Sequence, residues 1–164
     1  MAGSSTAELR LRPTREDDLD YVVAAEADPD NAPFLAPSPR DEHAGFLRDP
    51  LQRHLIAEAD GRRVGFALLR LHPGDRAVEL RRLAVTEKRR GHGRAALRLA
   101  IAAAFEEHDA HRLWLDVKPH NERALALYRS AGFVEEGLLR DALYQGGRFE
   151  SLIVMSILRH EWSR

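Results

Sequence analysis

A basic, glycine-containing stretch in the middle of the chain has the residue types of an anion-binding site. Residues 86–105 read TEKRRGHGRAALRLAIAAAF, so three cations and two glycines precede a run rich in Ala and Leu. The first turn of a helix leaves backbone N–H groups unpartnered and carries partial positive charge, and glycines let a ligand approach the backbone. The stretch therefore predicts a phosphate cradle made of Lys88, Arg89, Arg90, Gly91, His92, Gly93 and Arg94. The alternative is a solvated basic turn whose glycines only cap local structure.

The same glycines also fit a second phosphate-binding pattern. Residues 91–96 match G-x-G-x-x-A, the dinucleotide fingerprint, and Asp116 follows about twenty residues later. In that fold the first strand runs almost directly into the first glycine. Here a charged segment intervenes and about four strands precede the glycines, which disfavours a dinucleotide.

Composition limits the classes of function. The chain has 164 residues and a net charge of −1, which argues against general affinity for nucleic acid or membranes. It has no cysteine, and its eight histidines show no convincing ligand spacing, so neither a disulfide nor a metal site is predicted. No apolar run approaches the roughly 20 residues of a membrane span, and the first residues carry no signal core. We expect one cytoplasmic domain over residues 7–164, after a disordered tail of residues 1–6.

Alternating strands and helices must position the basic stretch. Apolar alternation predicts strands at residues 7–13, 53–59, 63–72, 77–85, 111–117, 133–144 and 148–158. Helices are predicted after Thr14, at residues 40–49, within the quoted stretch, and from an N-cap at Asn121 to a stop at Gly132. Two of the turns predict hairpins. The fold class is therefore α+β, or mixed α/β, with a mostly antiparallel central sheet and flanking helices.

The strand AVELRRLAV at residues 77–85 changes its apolar face halfway along. Val78 and Leu80 share one parity, whereas Leu83 and Val85 share the other. A strand with one apolar face needs an extra residue to do this. We therefore predict a β-bulge at residues 81–82.

These motifs together resemble the GNAT superfamily of acetyl-CoA-dependent N-acetyltransferases. The family's pyrophosphate loop, Q/R-x-x-G-x-G/A, reads KRRGHG here, with Lys88 at the first position. Lysine keeps the charge but loses bidentate recognition. ELRRLAV before the loop and LWLDVKPHNERALALYRSAGFVEEG after it also match the family pattern, and the order of elements agrees from about residue 7 to 158. The resemblance implies acetyl-CoA as co-substrate, with its pyrophosphate at residues 88–94.

The chemistry that this resemblance implies needs a proton acceptor. An amine with a pKa near 10.4 is neutral only about once in 2500 at pH 7. Members that use a strand glutamate as general base place it where Glu79 lies, and related enzymes have an acidic residue where Asp116 lies. The alternatives are a surface carboxylate paired with Arg81 or Arg82, and an aspartate that accepts bonds from the Asn121 turn.

The resemblance also implies roles for the bulge and for the helix after Asn121. The amide of Leu83 would face the thioester carbonyl, and Val85 would hold the pantetheine arm. Tyr128 would give a proton to the departing thiolate, on the same helix side as Ala124. Asn121 caps the helix and could also bond the arm. The alternative for Tyr128 is a core aromatic with a solvated hydroxyl.

The function implied is an N-acetyltransferase that acts on a protein N-terminus or on a small amine such as a polyamine. The hairpin EGLLRDALYQGGRFES resembles the branch that contains ribosomal-protein and polyamine acetyltransferases. The acidic residues within 26–43 are either an attraction for a cationic amine or a solvated loop. A non-catalytic acyl-CoA-binding module is the alternative function, and a homodimer is possible because dimers are common in such families.

Overall fold

The predicted alternation folds into one mixed sheet, which confirms the α+β class. The computed structural model describes residues 8–164, so the tail expected over residues 1–6 lies outside the described residues. Residues 8–164 contain the strands β1 (Arg10–Pro13), β2 (Gln52–Ala59), β3 (Arg62–His72), β4 (Ala77–Val85), β5 (Arg112–Val117), β6 (Val134–Gln145) and β7 (Arg148–Leu158). They also contain the helices α1 (Leu19–Ala27), α2 (Arg40–Arg48), α3 (His92–Ala102) and α4 (Glu122–Ser130).

The strands lie side by side in the order β1-β2-β3-β4-β5-β7-β6. Both predicted hairpins form, and the β2–β3 turn places Asp60 and Gly61 at positive φ. β4 and β5 are parallel, and α3 supplies the crossover that a parallel pair requires. In the part of the chain that the structure describes, no helix is long and apolar enough to cross a membrane.

The two faces of the sheet carry different helices. α1 and α2 cover one face, where Val22 packs with Ile56 and Phe66. α3 and α4 cover the other, where Leu97 and Leu125 join the largest apolar cluster. Successive strand residues point to opposite faces, so the parity of a β4 residue decides which pair of helices it meets.

The predicted bulge is confirmed, and it lies at Arg81. Arg82 pairs with Leu68 of β3, whereas Leu80 pairs with Leu69, so Arg81 is the extra residue of β4. One inserted residue turns the following side chains to the opposite face.

β4 and β5 separate near this bulge. Their pairing spans Ala77–Glu79 of β4 and Arg112–Trp114 of β5. Beyond these positions the two parallel strands diverge. We call the resulting gap the seam; on the β4 side it runs along Leu80–Val85.

Arg82 is buried on the face that α1 covers. Its Nη1 lies 3.1 Å from Oε2 of Glu26, an ion pair whose alignment falls short of a hydrogen bond, and its Nη2 donates to Ser38 Oγ at 2.8 Å. Removing one partner of a buried ion pair typically costs about 3–5 kcal/mol, because a charge is left uncompensated. The Glu26–Arg82 pair therefore holds Arg82, and the bulge before it, against α1.

Two buried histidines continue this contact away from the seam. Nε2 of His43 contacts Glu26 Oε1, Nδ1 of His43 lies 3.0 Å from His54 Nε2, and Nδ1 of His54 lies 2.8 Å from Thr14 Oγ1. Burial, followed by the charges of His43 and Arg82, lowers the pKa of His54 to about 4. A neutral His54 donates from one ring nitrogen and accepts at the other, so the direction of its hydrogen bonds with Thr14 and His43 follows its tautomer.

Gly65 allows β3 to lie close to the end of β4, and we predict that a side chain there is not tolerated. A Cβ at this position would lie 2.3 Å from the backbone oxygen of Ala84 and 3.2 Å from Cα of Val85. Gly65→Ala should therefore destabilise the protein by about 1–3 kcal/mol, as overpacking does. Gly45→Ala in α2 is the matched control, since its Cβ meets nothing within 4 Å and alanine favours helix by up to about 1 kcal/mol. Urea unfolding measures both, and equal losses would contradict the prediction.

Candidate active site

The seam opens into a cleft of about 720 Å³. Its walls come from the end of β4, the start of α3, one side of α4 and the segment that joins α1 to α2. The cleft is lined by most of the residues that the sequence singled out, namely Leu83, Val85, Lys88, Arg89, Gly91, His92, Gly93, Arg94, Asn121, Ala124 and Tyr128. Arg90, Glu79 and Asp116 are not among its lining residues.

The basic stretch turns sharply into the N-terminus of α3. Arg89 and Gly91 both have positive φ, at 61° and 75°, and α3 begins at His92. Ala95 N donates to Gly91 O, so the N–H groups before Ala95 in the first turn have no partner within the helix. A Cβ on Gly93 would face the cleft and lie 3.8 Å from Leu127. This geometry leaves room for an anion at the helix N-terminus.

The predicted cations of the loop do not act alike. Arg89 and Arg94 line the cleft, and Arg90 is exposed outside it. α4 adds Arg123 to the lining. The sequence analysis did not predict this cation, because the family pattern does not require a charged residue at that position. The arginines of the cleft therefore come from the loop and from two helices rather than from the loop alone.

Lys88 lines the cleft but its ammonium points into the protein. Its Nζ donates to Asn31 Oδ1 at 2.5 Å and to Val85 O at 2.7 Å. Burial lowers the pKa of Lys88. In this arrangement Lys88 braces the end of β4 rather than presenting its charge at the helix N-terminus.

The backbone of β4 turns toward the cleft at alternate residues. Thr86 N donates to Val64 O of the neighbouring chain segment at 2.9 Å, so even-numbered residues after the bulge face β3. The backbone groups of Leu83 and Val85 therefore face away from β3, along the seam. The Val85 carbonyl already accepts from Lys88 and, at 3.2 Å, from Asn31 Nδ2.

Tyr128 stands on the side of α4 that faces the cleft, one turn after Ala124. The predicted N-cap is present, since Asn121 Oδ1 accepts from Ala124 N at 3.2 Å. The Tyr128 ring packs 5.7 Å from that of Phe133. Burial, and then the charge of Asp116, raises the pKa of Tyr128 to about 12. The hydroxyl therefore keeps its proton at any physiological pH.

The two candidate carboxylates lie across the seam, on the face of α1 and α2. Burial and the charge of Asp116 raise the pKa of Glu79, while Arg81 and His72 oppose the rise. Asp116 keeps an exposed surface, yet surrounding atoms desolvate its carboxylate enough to raise its pKa, against the charge of Arg81. His72 Nε2 lies 3.7 Å from Glu79 Oε2, and Arg82 pairs with Glu26 instead. The structure thus brings Glu79, Asp116 and Arg81 into one electrostatic group.

Two aromatic residues at the cleft's edge were also missed from the sequence. The rings of Phe34 and His120 lie 5.4 Å apart and both line the cleft. Phe34 lies in the proline-rich segment, and His120 lies in a turn of the stretch that matches the family pattern, at a position to which the sequence assigns no role. Among residues 8–164, no three His, Asp or Glu side chains are grouped as a metal site would require.

Comparison with known proteins places this geometry in a family. The sequence profile described as Acetyltransferase (GNAT) family matches residues 16–133. Spermidine N(1)-acetyltransferase of Escherichia coli (strain K12) is 26% identical, with 96% of this chain and 90% of the relative covered. The putative ribosomal N-acetyltransferase YdaF of Bacillus subtilis is 40% identical, with 42% of this chain and 37% of the relative covered.

A solved structure shows the same architecture. Spermidine N-acetyltransferase from Vibrio cholerae, in complex with CoA and spermine, superposes with a TM-score of 0.83 at 23% identity, and 94% of this chain and 97% of that chain are covered. The profile covers most of the sequence, and the expected resemblance is confirmed. The chain belongs to the acetyltransferase (GNAT) family.

Proposed function

We propose that the protein transfers an acetyl group from acetyl-CoA to a primary amine. The observation that carries this proposal is a cleft that runs from the free N-terminus of α3 to Tyr128, with two carboxylates across the seam. A donor with a pyrophosphate at one end and a thioester at the other fits that sequence of groups. CoA in the Vibrio cholerae relative supports the choice of donor.

The protein's groups divide the binding of the donor between them. The first-turn amides of α3, with Arg89 and Arg94, would hold the pyrophosphate, and Gly93 leaves the approach open. The backbone of Leu83 and Val85 would hold the pantetheine arm and the thioester carbonyl, where a preorganised N–H stabilises developing negative charge. Asn121 and Ala124 would line the other side of the arm.

Acyl transfer moves two protons. The amine nitrogen forms a bond to the acyl carbon and gives a proton to a base, while the carbon–sulfur bond breaks and the sulfur takes a proton from an acid. We assign the base to Glu79, with Asp116 as the second candidate, and the acid to Tyr128. A general base works best when its pKa lies near the working pH. The pKa of Glu79 is raised toward that range.

The acceptor is proposed as a class. Relatives named for spermidine and for ribosomal protein support a primary amine, either a small polyamine or a protein N-terminus. A related enzyme from Vibrio cholerae is described as dodecameric. The homodimer expected from the sequence stays a prediction.

An amine panel tests this function against the alternative of a non-catalytic acyl-CoA-binding module. The panel holds spermidine, a simple alkylamine and a short peptide with a free N-terminus, and the assay follows release of CoA. Release that depends on an amine supports the enzyme. Tight binding of acetyl-CoA with no release above the rate without protein would favour the binding module.

The phosphate cradle predicts a strong effect of a branched side chain at Gly93. A Cβ there meets only Leu127 at 3.8 Å, so Gly93→Val should fold while its two methyl groups obstruct the ligand. We expect at least about a tenfold loss of CoA affinity in calorimetry, which is about 1.4 kcal/mol. Gly74→Val, whose Cβ meets nothing within 4 Å, is the control. Unchanged affinity in Gly93→Val would remove the cradle from the proposal.

The assignment of the base predicts a pH dependence. The pKa of Glu79 is raised, so kcat/KM should fall on the acid side as Glu79 takes a proton, at a pH above the ordinary carboxyl range. Glu79→Gln should lose about 10²–10⁴-fold in turnover together with this acid limb. Asp116→Asn is the comparison. A severe loss in Asp116→Asn with full activity in Glu79→Gln would reverse the assignment.

The assignment of the acid predicts that Tyr128→Phe separates turnover from binding. The ring and its packing remain, so CoA affinity should stay within about twofold. Turnover should fall by up to about 10²-fold, because a thiolate with a pKa near 8.5 leaves fairly well unaided. Single-turnover rates and calorimetry measure the two effects. Full turnover with a lowered melting temperature would show a purely structural tyrosine.

A further inference from the structure

The connection between α1 and α2 runs along the open end of the seam. We call residues 29–38 the strap. It has no regular secondary structure, and Pro29, Asn31, Phe34 and Leu35 line the cleft. Its last part is tied down where Ser38 accepts from Arg82. The strap is therefore one wall of the candidate active site.

One end of the strap is fastened to β4. Asn31 donates from Nδ2 to Ala25 O at 2.9 Å and to Val85 O at 3.2 Å, and its Oδ1 accepts from Lys88 Nζ at 2.5 Å. Val85 is the last residue of β4. Asn31 thus holds the strap against the β4 side of the seam.

The next part of the strap is fastened on the other side of the seam. Lys118, the residue after β5, is 5% exposed, and its Nζ donates to Pro33 O at 3.2 Å and to Gln145 Oε1 at 2.9 Å. The same ammonium pairs with Glu150 at 2.7 Å. Gln145 Nε2 in turn donates to Leu35 O at 3.2 Å.

These two sets of contacts define the path of the strap. Residue 31 is bound at the end of β4, residue 33 just beyond the end of β5, and residue 35 at the end of β6. The strap therefore crosses the seam from one diverging strand to the other. It closes the wide end of the gap, so the seam becomes a window bounded by the bulge on one side and by the strap on the other.

Both ends of the strap are held by a lysine, Lys88 at β4 and Lys118 after β5, and lysine is rare in this chain. The sequence has 23 arginines and two lysines, and the two lysines are Lys88 and Lys118. An ammonium is a compact donor of three hydrogen bonds that can serve converging oxygens, whereas a guanidinium is a wide planar fork. Each lysine here contacts several oxygens in a confined place.

We propose that Lys118 is a positioning residue that holds the strap across the seam and so restricts the acceptor to slender, unbranched primary amines. The proposal rests on the acetyl transfer proposed above. Under that function the donor occupies the cleft on the α3 and α4 side, while Glu79 and Asp116 lie on the opposite face. The acceptor nitrogen must then reach the thioester through the window, and the strap sets the width of the window.

Two amines of equal carbon count test the restriction. We expect the wild-type protein to acetylate n-hexylamine at least about tenfold more efficiently than cyclohexylamine, in kcat/KM. Lys118→Met releases Pro33 and Gln145 and should reduce this ratio at least about tenfold, mainly through a better KM for cyclohexylamine. Lys118→Arg keeps the charge but not the compact donor, so it should change the ratio in the same direction. A wild-type ratio in Lys118→Arg would show that charge alone matters, and would overturn the positioning role.

A control and a second measurement separate this role from general damage. Arg112→Met removes a cation from the start of β5, where Arg112 pairs with Glu136 away from the strap, and it should leave the ratio unchanged. Hydrogen exchange then reports on the strap directly. The amides of Ala32 and Phe34, which donate within the strap region to Asp28 and Asn31, should exchange faster in Lys118→Met than in Arg112→Met.

The outcomes distinguish this proposal from the function that it extends. If the wild-type protein acetylates no amine, both the function and the restriction are overturned, whatever the exchange rates show. Normal transfer with the same hexylamine to cyclohexylamine ratio in wild type and Lys118→Met overturns the restriction alone. Unchanged exchange in Lys118→Met overturns the role of Lys118 in holding the strap.

Discussion

The short pairing between β4 and β5 is the constraint on which the rest of the site depends. Two parallel strands that pair over three positions and then diverge leave backbone groups in the middle of a sheet without strand partners. Such groups must find other partners, because buried and unpaired backbone atoms are costly. The Val85 carbonyl finds them in Lys88 and Asn31, and the backbone of Leu83 faces the open cleft. The same divergence that weakens the sheet thus creates the space for a ligand.

A sheet opened in its middle needs support from its faces. The buried chain Thr14–His54–His43–Glu26–Arg82 supplies support on one face, since it joins the residue after β1, β2, both neighbouring helices and the residue after the bulge. The lowered pKa of His54 keeps that ring neutral at physiological pH, so His54 adds no further positive charge beside His43 and Arg82. On the other face the support is apolar, from α3 and α4. The bulge is therefore held by ionic contact on one side and by packing on the other.

Features that depend on local pattern were predictable from the sequence. The bulge could be predicted because the apolar residues of a single strand change parity at that point. The Asn121 cap could be predicted because its partner, Ala124, lies three residues further along the chain. Contacts between distant segments were not predictable in this way. Lys88 was expected at the phosphate, yet its ammonium meets Asn31, 57 residues earlier, because the strap passes there. Arg82 was considered as a partner of Glu79, but it is held by Glu26 of α1. The Lys118 ammonium contacts the strap, the end of β6 and β7. Contacts with three separate segments cannot be predicted from one stretch of sequence.

The near-absence of lysine has a chemical consequence beyond packing. An activated thioester acylates neutral amines, whereas guanidinium groups stay charged and do not react in this way. Among residues 8–164 the exposed Lys and Arg side chains are all arginines; Lys118 is buried and Lys88 is partly buried with its ammonium engaged. If the protein binds acetyl-CoA, as proposed here, it therefore exposes very few lysine amines that the thioester could acylate. Its surface is poorly suited to spontaneous self-acylation, and it keeps its positive charges however long it holds the donor.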